Sequence, residues 1–202
     1  MTLQEINEQI KQLEQQRIDL LQHNPTLCGI GYLGDNYDKT QDKTLYQRWS
    51  NIIQRCYNIN APNYKNYGAI GVEVAPEWYN FSNFKKWFLD NYWNIGTDEK
   101  LVVDKDILVP NNKIYSSETC LLLPISFNSM FSGMNDDTNV IEQNNNGRYT
   151  LRLFKTTFSN FPTYDSAKQT RTDIYKTIVN HMLENYPTMP DKVREAILNY
   201  QF

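Results

Sequence analysis

Cysteine and histidine are both scarce in this sequence of 202 residues. Its three cysteines, Cys28, Cys56 and Cys120, are an odd number and include no C-x-x-C pair. This argues against a disulfide framework and against a zinc ribbon, and it fits a reducing compartment. The two histidines, His23 and His181, stand alone in the sequence, and lone histidines of this kind are usually structural or solvated.

Long apolar runs and an excess of positive charge are also missing. No run approaches the ~18 residues that a membrane-spanning helix needs, and no signal peptide opens the chain. We therefore expect a soluble, cytoplasmic protein with no membrane partner. The net charge of −3 and the pI of about 5.4 weigh against avid, sequence-independent binding to nucleic acid. The C-terminal third, residues 139–202, has a positive balance, so any polyanion contact favours that part.

Apolar residues make up 40% of the chain and aromatic residues 13%, which is ample for a buried core. Some stretches have apolar residues at helical spacing and others alternate as strands do, so the sequence predicts a mixed α+β protein. The predicted helices cover residues 2–22, 43–57, 81–93, about 165–186 and a short segment from 191. Asn80 is the expected cap of the third helix, and Asp165 or Ser166 that of the fourth. The apolar stripe of the fourth helix is predicted to contain Ala167, Thr170, Ile174, Ile178 and Met182, and that of the last segment Val193, Ala196, Ile197 and Tyr200. The polar residues 131–139 are the predicted linker. The predicted strands lie at 71–78, at both ends of 101–124, and at 140–141, 148–154 and 157–161.

The first predicted helix has apolar residues at alternating spacings of three and four. The stripe contains Leu3, Ile6, Ile10, Leu13 and Leu20, and Arg17 interrupts it. It lasts for less than three heptads, which is short for a coiled coil. Two interpretations remain open: the helix docks on its own domain, or it pairs with a second copy of the chain to form a homodimer.

The stretch LVVDKDILVPNNKIYSSETCLLLP, residues 101–124, predicts a strand, a loop and a second strand. Its first strand ends in Asp104-Lys105-Asp106. Taken alone, this triplet is typical of a solvated strand end with a local ion pair. The segments around it favour a more specific interpretation.

Four features occur in a fixed order: RWSNIIQRCYN, YKNYGAIGVEVAPEWYNFSNFKKWF, VVDKDILVPNNKIYSSETCLLLP and Asn128. Together they resemble a family of phage-encoded proteins described as HNH endonuclease-like, over roughly residues 28–131. The resemblance implies a ββα-metal core with extra helices. In that family two strands and a helix hold one divalent cation, and a histidine beside the first ligand deprotonates the attacking water.

The resemblance places Asp104 and Asn128 as ligands of Mg²⁺ or Mn²⁺, and it places Lys105 where the general-base histidine stands. A lysine amine is protonated at neutral pH and cannot accept a proton, and Asp104 and Asp106 on either side favour its charged form. Lys105 therefore suits a phosphate clamp better than a base. Asp106 is either a weak base or a second metal ligand, so we expect cleavage to be weakened or lost.

Residues 139–186 resemble, more weakly, the three-strand-plus-helix DNA-binding module of plant Apetala-type factors and phage integrase arms. In RYTLRLF, Arg148, Thr150 and Arg152 alternate with apolar residues, and Lys155 follows. On one face of a sheet these side chains are placed to enter a major groove. An ordinary solvent face is the alternative. For Arg48 and Arg55, off the apolar stripe of their helix, the alternatives are phosphate contact and simple solvation.

These observations predict three parts: an N-terminal amphipathic helix (1–24), an HNH-like domain (25–135), and an Apetala-type sheet-plus-helix module with a C-terminal helix (136–202). The expected function is that of a phage-type, HNH-like protein of an infected bacterial host that binds double-stranded DNA. It is either a weak metal-dependent, homing-type endonuclease or a binder that does not cut. The alternative is an inactive scaffold that binds a host protein, for example as an inhibitor of a defence nuclease.

Overall fold

The computed structural model describes residues 1–35, 37–134 and 140–200, and these form a mixed α+β protein, which confirms the predicted class. The six α-helices of this part of the chain are α1 (Leu3–His23), α2 (Lys43–Tyr57), α3 (Phe81–Asp90), α4 (Ile125–Met134), α5 (Tyr164–Leu183) and α6 (Asp191–Leu198). Its strands are β1 (Glu73–Val74), β2 (Leu101–Asp104), β3 (Ile114–Tyr115), β4 (Leu121–Pro124), β5 (Ile141–Gln143), β6 (Tyr149–Leu153) and β7 (Thr156–Phe161). None of the described helices combines the length and apolar character needed to cross a membrane.

The chain divides into two compact units. The first unit contains Met1–Asn91 and Val109–Cys120, and the second contains Tyr92–Leu108 and Leu121–Phe202. The loop between β2 and β4 therefore belongs to the first unit, whereas both strands belong to the second. The predicted boundary between residues 135 and 136 falls in 135–139, outside the described residues. The predicted linker at 131–139 begins inside α4, which continues to Met134.

The first unit has an aromatic core that α2 and α3 build together. Trp49, Trp78, Phe81 and Phe84 are at most 1% exposed, and Trp87 is 8% exposed. The orientation of the Trp49 ring is fixed by a hydrogen bond, in which its Nε1 donates to the carbonyl oxygen of Trp78 at 2.6 Å. A short parallel pair, β1 with β3, joins the loop 109–120 to this core. The predicted strand 71–78 is shorter than expected, because Pro76 opens a 3₁₀ turn over Pro76–Tyr79.

The second unit contains two separate sheets. In the first, β2 and β4 pair antiparallel in a hairpin whose strands are followed directly by α4. In the second, the order is β5-β6-β7, all antiparallel, with α5 packed on one face. Leu151, Leu153, Ala167 and Tyr175 form the core between this sheet and α5. The turn before β6 ends in Gly147 at φ +79°, a conformation that glycine adopts without steric cost.

Two helix starts show how local chemistry sets the boundaries. Asn80 caps α3 as predicted, and its side chain accepts from the backbone N–H of Ser82 at 2.8 Å. For α5 the predicted cap, Asp165 or Ser166, is wrong. Thr163 caps this helix, and Ser166 returns a bond to the Thr163 backbone, so the two form a reciprocal capping box.

Candidate functional site at the hairpin end and the sheet face

The β2–β4 hairpin and α4 place Asp104 at the last paired position of β2, opposite Leu121. Because α4 begins at Ile125, directly after β4, Asn128 lies within its first turn. The order of two antiparallel strands and a helix is the order expected from the sequence. Strand β4 anchors the hairpin on both of its faces, because the successive residues Leu121, Leu122 and Leu123 are all at most 3% exposed.

The carboxylate of Asp104 is fixed by hydrogen bonds within a tight turn. Its Oδ1 accepts the backbone N–H of Asp106 at 2.9 Å and that of Ile107 at 2.8 Å. This is the Asx-turn arrangement in which a side chain replaces a backbone acceptor. Burial raises the pKa of the Asp104 carboxyl above its usual range, and the two N–H donors oppose that rise only in part.

Lys105 is buried rather than directed to solvent. Its side chain is 9% exposed, and Nζ lies 2.6 Å from Oδ1 of Asp106, whose side chain is 48% exposed. The local ion pair that is typical of a solvated strand end therefore exists, but its cation is buried in the protein. In this geometry Asp106 uses one carboxylate oxygen to neutralise Lys105, which leaves less of either group for a phosphate or a metal.

The donor set around Asp104 is sparse for a divalent cation. Mg²⁺ and Mn²⁺ prefer about six oxygen ligands, with at least one or two carboxylates beside water or substrate. Asp104 already commits Oδ1 to two backbone donors, and the adjacent Lys105, which acts electrostatically on it, is a competing cation. Within 1–35, 37–134 and 140–200, no three His, Cys, Asp or Glu side chains are grouped to hold a metal. Asn128, the second ligand that the resemblance implies, is an amide and is not counted in such a group, so a metal held by Asp104 and Asn128 stays a prediction.

Tyr200 is a residue near this hairpin that the sequence assigned only to the apolar side of α6. Its ring packs on Phe131 of α4 with the centroids 4.7 Å apart. Burial raises the pKa of the Tyr200 phenol, and the carboxylates of Asp104 and Asp106 raise it further. The C-terminal segment thus brings a neutral hydroxyl close to the two acids, and no pattern near residue 104 could have indicated this.

The three-stranded sheet presents the predicted DNA-binding side chains on the side opposite α5. In β6, Leu151 and Leu153 are buried, whereas Arg152 is exposed and Thr150 is half-buried. The guanidinium of Arg148 donates to the carbonyl oxygen of Asn160 at 3.1 Å, which ties it to β7. Lys155 is exposed in the β6–β7 turn at φ +65°.

Glu142 is the residue on this sheet face that the sequence analysis missed. It pairs with Thr150 across β5 and β6, and its Oε2 lies 3.1 Å from the Arg152 guanidinium. Both side chains are about half exposed, 54% for Arg152 and 50% for Glu142, so the pair is worth little in water. The register of β5 against β6 brings this acid beside the arginine, and the sequence did not predict that register.

Arg48 and Arg55 of α2 contact aromatic rings in the first unit. The Arg55 guanidinium carbon is 4.8 Å from the Tyr67 ring centre and 5.0 Å from that of Tyr115. Arg48 lies 5.5 Å from the centre of Phe88. These are cation–π distances, which stabilise the packing of the helix on its neighbours. Arg55 in particular has a structural role that its position off the apolar stripe did not predict.

No protein-family model, curated protein or solved structure matches this chain. The residues and the geometry of the two sites are therefore the basis for assigning a function.

Proposed function

We propose that this protein binds double-stranded DNA through the exposed face of the β5–β7 sheet, on an HNH-like scaffold whose cleavage activity is weakened or lost. The observation that carries the proposal is the sheet face itself. It displays Arg148, Thr150 and Arg152 outward, with Lys155 at its turn, while α5 covers the opposite face. The major groove, about 12 Å wide, admits a two-stranded β-ribbon, so β6 with one neighbouring strand could enter it.

The existing partners of the two arginines are easily exchanged for phosphate or base edges. Arg152 contacts a half-exposed carboxylate, and Arg148 contacts a backbone carbonyl at the exposed Asn160. Contacts of this kind cost little to replace in water. A bidentate guanidinium contact with a guanine or a phosphate is stronger, because the fork geometry matches both.

Binding without efficient cleavage agrees with the state of the hairpin. Lys105 is buried against Asp106, and Asp104 is engaged with two backbone N–H groups. Of the three residues, Asp106 keeps a partly exposed carboxylate, and a carboxylate is a weak base for an attacking water. The Mg²⁺ or Mn²⁺ that the resemblance implies would find few ligands among the described side chains.

The decisive experiment measures duplex binding by fluorescence polarisation as a function of salt. The variant R148A/R152A should bind at least roughly tenfold more weakly, with the slope of log K against log salt shallower by about two. The matched control is K168A/K176A, which removes two exposed cations from α5 on the other side of the sheet. Equal losses in both double variants, or no salt-dependent binding at all, would contradict the proposal.

A second candidate, binding to another protein, is favoured by α1. Leu3, Ile10, Leu13 and Leu20 are between 50% and 75% exposed, and α1 has no fully buried residue. Exposed apolar stripes of this kind are common in pairing helices. Light scattering tests for a second copy of this chain, and a dimer that L13E dissociates supports self-pairing. If the protein is a monomer and retains a stoichiometric host protein in a pull-down, the host partner is supported instead.

A further inference from the structure

A cavity of about 280 Å³ lies in the first unit, between the C-terminal half of α1 and the start of α2. Ile18 and Leu21 of α1, Leu27 and Gly31 of the following loop, and the rings of Tyr46 and Trp49 line it. Its volume is just below the roughly 300–1,000 Å³ typical of small-molecule sites. The space suits one ring with a short side chain, and neither the hairpin nor the β5–β7 sheet contributes to it.

The cavity is preformed, because backbone hydrogen bonds fix α1 at its edge. The N–H of Leu33 donates to the carbonyl oxygen of Leu21 at 3.0 Å, and that of Gly34 donates to Gln22 at 2.7 Å. These bonds use carbonyl groups in the last turn of α1, which would otherwise need solvent or a cap. A ligand would therefore enter a space that already exists, and it would not have to order the helix first.

One wall of the cavity is aromatic. The ring centres of Tyr37 and Tyr46 are 5.7 Å apart, and those of Tyr46 and Trp49 are 5.6 Å apart. At Gly31 an added Cβ would lie 3.0 Å from Cη2 of Trp49, so the backbone approaches the indole as closely as glycine permits. Such a wall offers ring faces and edges against which a planar ligand packs favourably.

Two cations and one acid also line the cavity: Arg17, Lys39 and Glu14. Both cationic side chains belong to exposed residues, so their charges are at the mouth of the cavity rather than at its floor. Burial raises the pKa of the Tyr37 phenol, the carboxylates of Asp42 and Asp38 raise it further, and the Arg17 guanidinium lowers it only in part. The residues that line the mouth therefore include two cations and one acid, beside an apolar and aromatic interior.

We propose that this cavity binds a small aromatic carboxylate, with its ring against Tyr46 and Trp49 and its carboxylate at Arg17 and Lys39. The volume limits the ligand to about one ring and a short acid arm. The aromatic wall selects a planar group over a branched aliphatic one, and the two cations Arg17 and Lys39 select an acid over its neutral amide. Glu14 opposes a second negative charge, so a monocarboxylate is preferred to a dicarboxylate.

The test uses 3-phenylpropionate and its uncharged analogue 3-phenylpropionamide, titrated into the full-length protein by calorimetry. We expect a dissociation constant on the order of 10 µM to 1 mM for the acid, which is typical of ligands of this size. The amide should bind roughly tenfold more weakly, because it loses the charge-assisted contacts. R17A/K39A should remove this preference for the acid, while K11A, an exposed cation of α1 that does not line the cavity, should not.

A second variant separates the cavity from the outer surface. I18W places an indole in the space and should abolish binding of both probes, and circular dichroism checks that it folds. Equal affinity for the acid and the amide, unchanged binding in I18W, or no heat at millimolar probe would each overturn the proposal. Duplex binding measured on the same variants keeps this outcome separate from that of the proposed function.

Discussion

Lys105 is held inside the protein by its neighbour, with its Nζ 2.6 Å from Oδ1 of Asp106 and only 9% of its side chain exposed. Removal of the carboxylate in D106N leaves a buried ammonium without this anion. We expect D106N to unfold more easily by about 1–3 kcal/mol, measured by denaturant titration with tryptophan fluorescence. The double variant K105M/D106N should recover most of the loss. Equal stability of D106N and wild type would mean that the pair contributes nothing to the fold.

Burial of Asp104 predicts how stability depends on pH. The folded-state pKa of this carboxyl is raised, so its contribution to stability is complete below the unfolded pKa of about 3.9. That contribution is lost as pH rises through the folded pKa. D104N removes the titration, so it does not lose this stability as pH rises. The free energy of unfolding of D104N minus that of wild type should therefore increase from pH 4 to pH 7. A constant difference across this range would contradict the assignment.

Glu142 should weaken DNA binding in the native protein, because its carboxylate occupies Arg152 and repels phosphate. E142Q keeps the shape of the side chain and removes the charge. We expect it to bind duplex DNA about two- to fivefold more tightly, since an exposed pair of this kind is weak. E195Q, which removes an exposed acid of α6, is the control. Tighter binding by both variants would indicate a general charge effect rather than release of Arg152.

Arg55 should matter for stability and not for DNA binding. R55M retains a long apolar side chain but loses the guanidinium that contacts both Tyr67 and Tyr115, so we expect a loss of about 1–2 kcal/mol in the free energy of unfolding. Duplex affinity should not change. K65M, which removes an exposed cation nearby in the first unit, should leave stability unchanged. A selective loss of DNA affinity in R55M would instead support phosphate contact.

Nicking of supercoiled plasmid in Mg²⁺ or Mn²⁺ should stay at the background rate. The physical reason is that Lys105 is buried and paired with Asp106, while Asp104 accepts two backbone N–H groups. D104A serves as the control for a contaminating nuclease. Metal-dependent nicking that D104A abolishes would show that the hairpin is an active centre, and it would replace the binding-only part of the proposed function.

The helices followed from local pattern to a large extent. The predicted helix 43–57 has the same bounds as α2. The predicted helix 2–22 begins and ends one residue before α1. In α5 the predicted stripe, Ala167, Thr170, Ile174, Ile178 and Met182, is shifted: the buried residues are Ala167, Tyr175, Val179 and Leu183. Two apolar stripes lie side by side on this helix, and the position of the sheet decides which one is covered.

In the candidate sites, too, the local features followed from the sequence and the long-range contacts did not. The sequence alone established the polar–apolar alternation of β6 and the acidic end of β2, because both depend on side chains that are close along the chain. Long-range packing established that Lys105 is buried, that Glu142 lies beside Arg152, that Arg55 contacts two tyrosines and that a cavity opens beside α1. Burial and charge pairing depend on residues that are distant in sequence, so local periodicity contains no information about them.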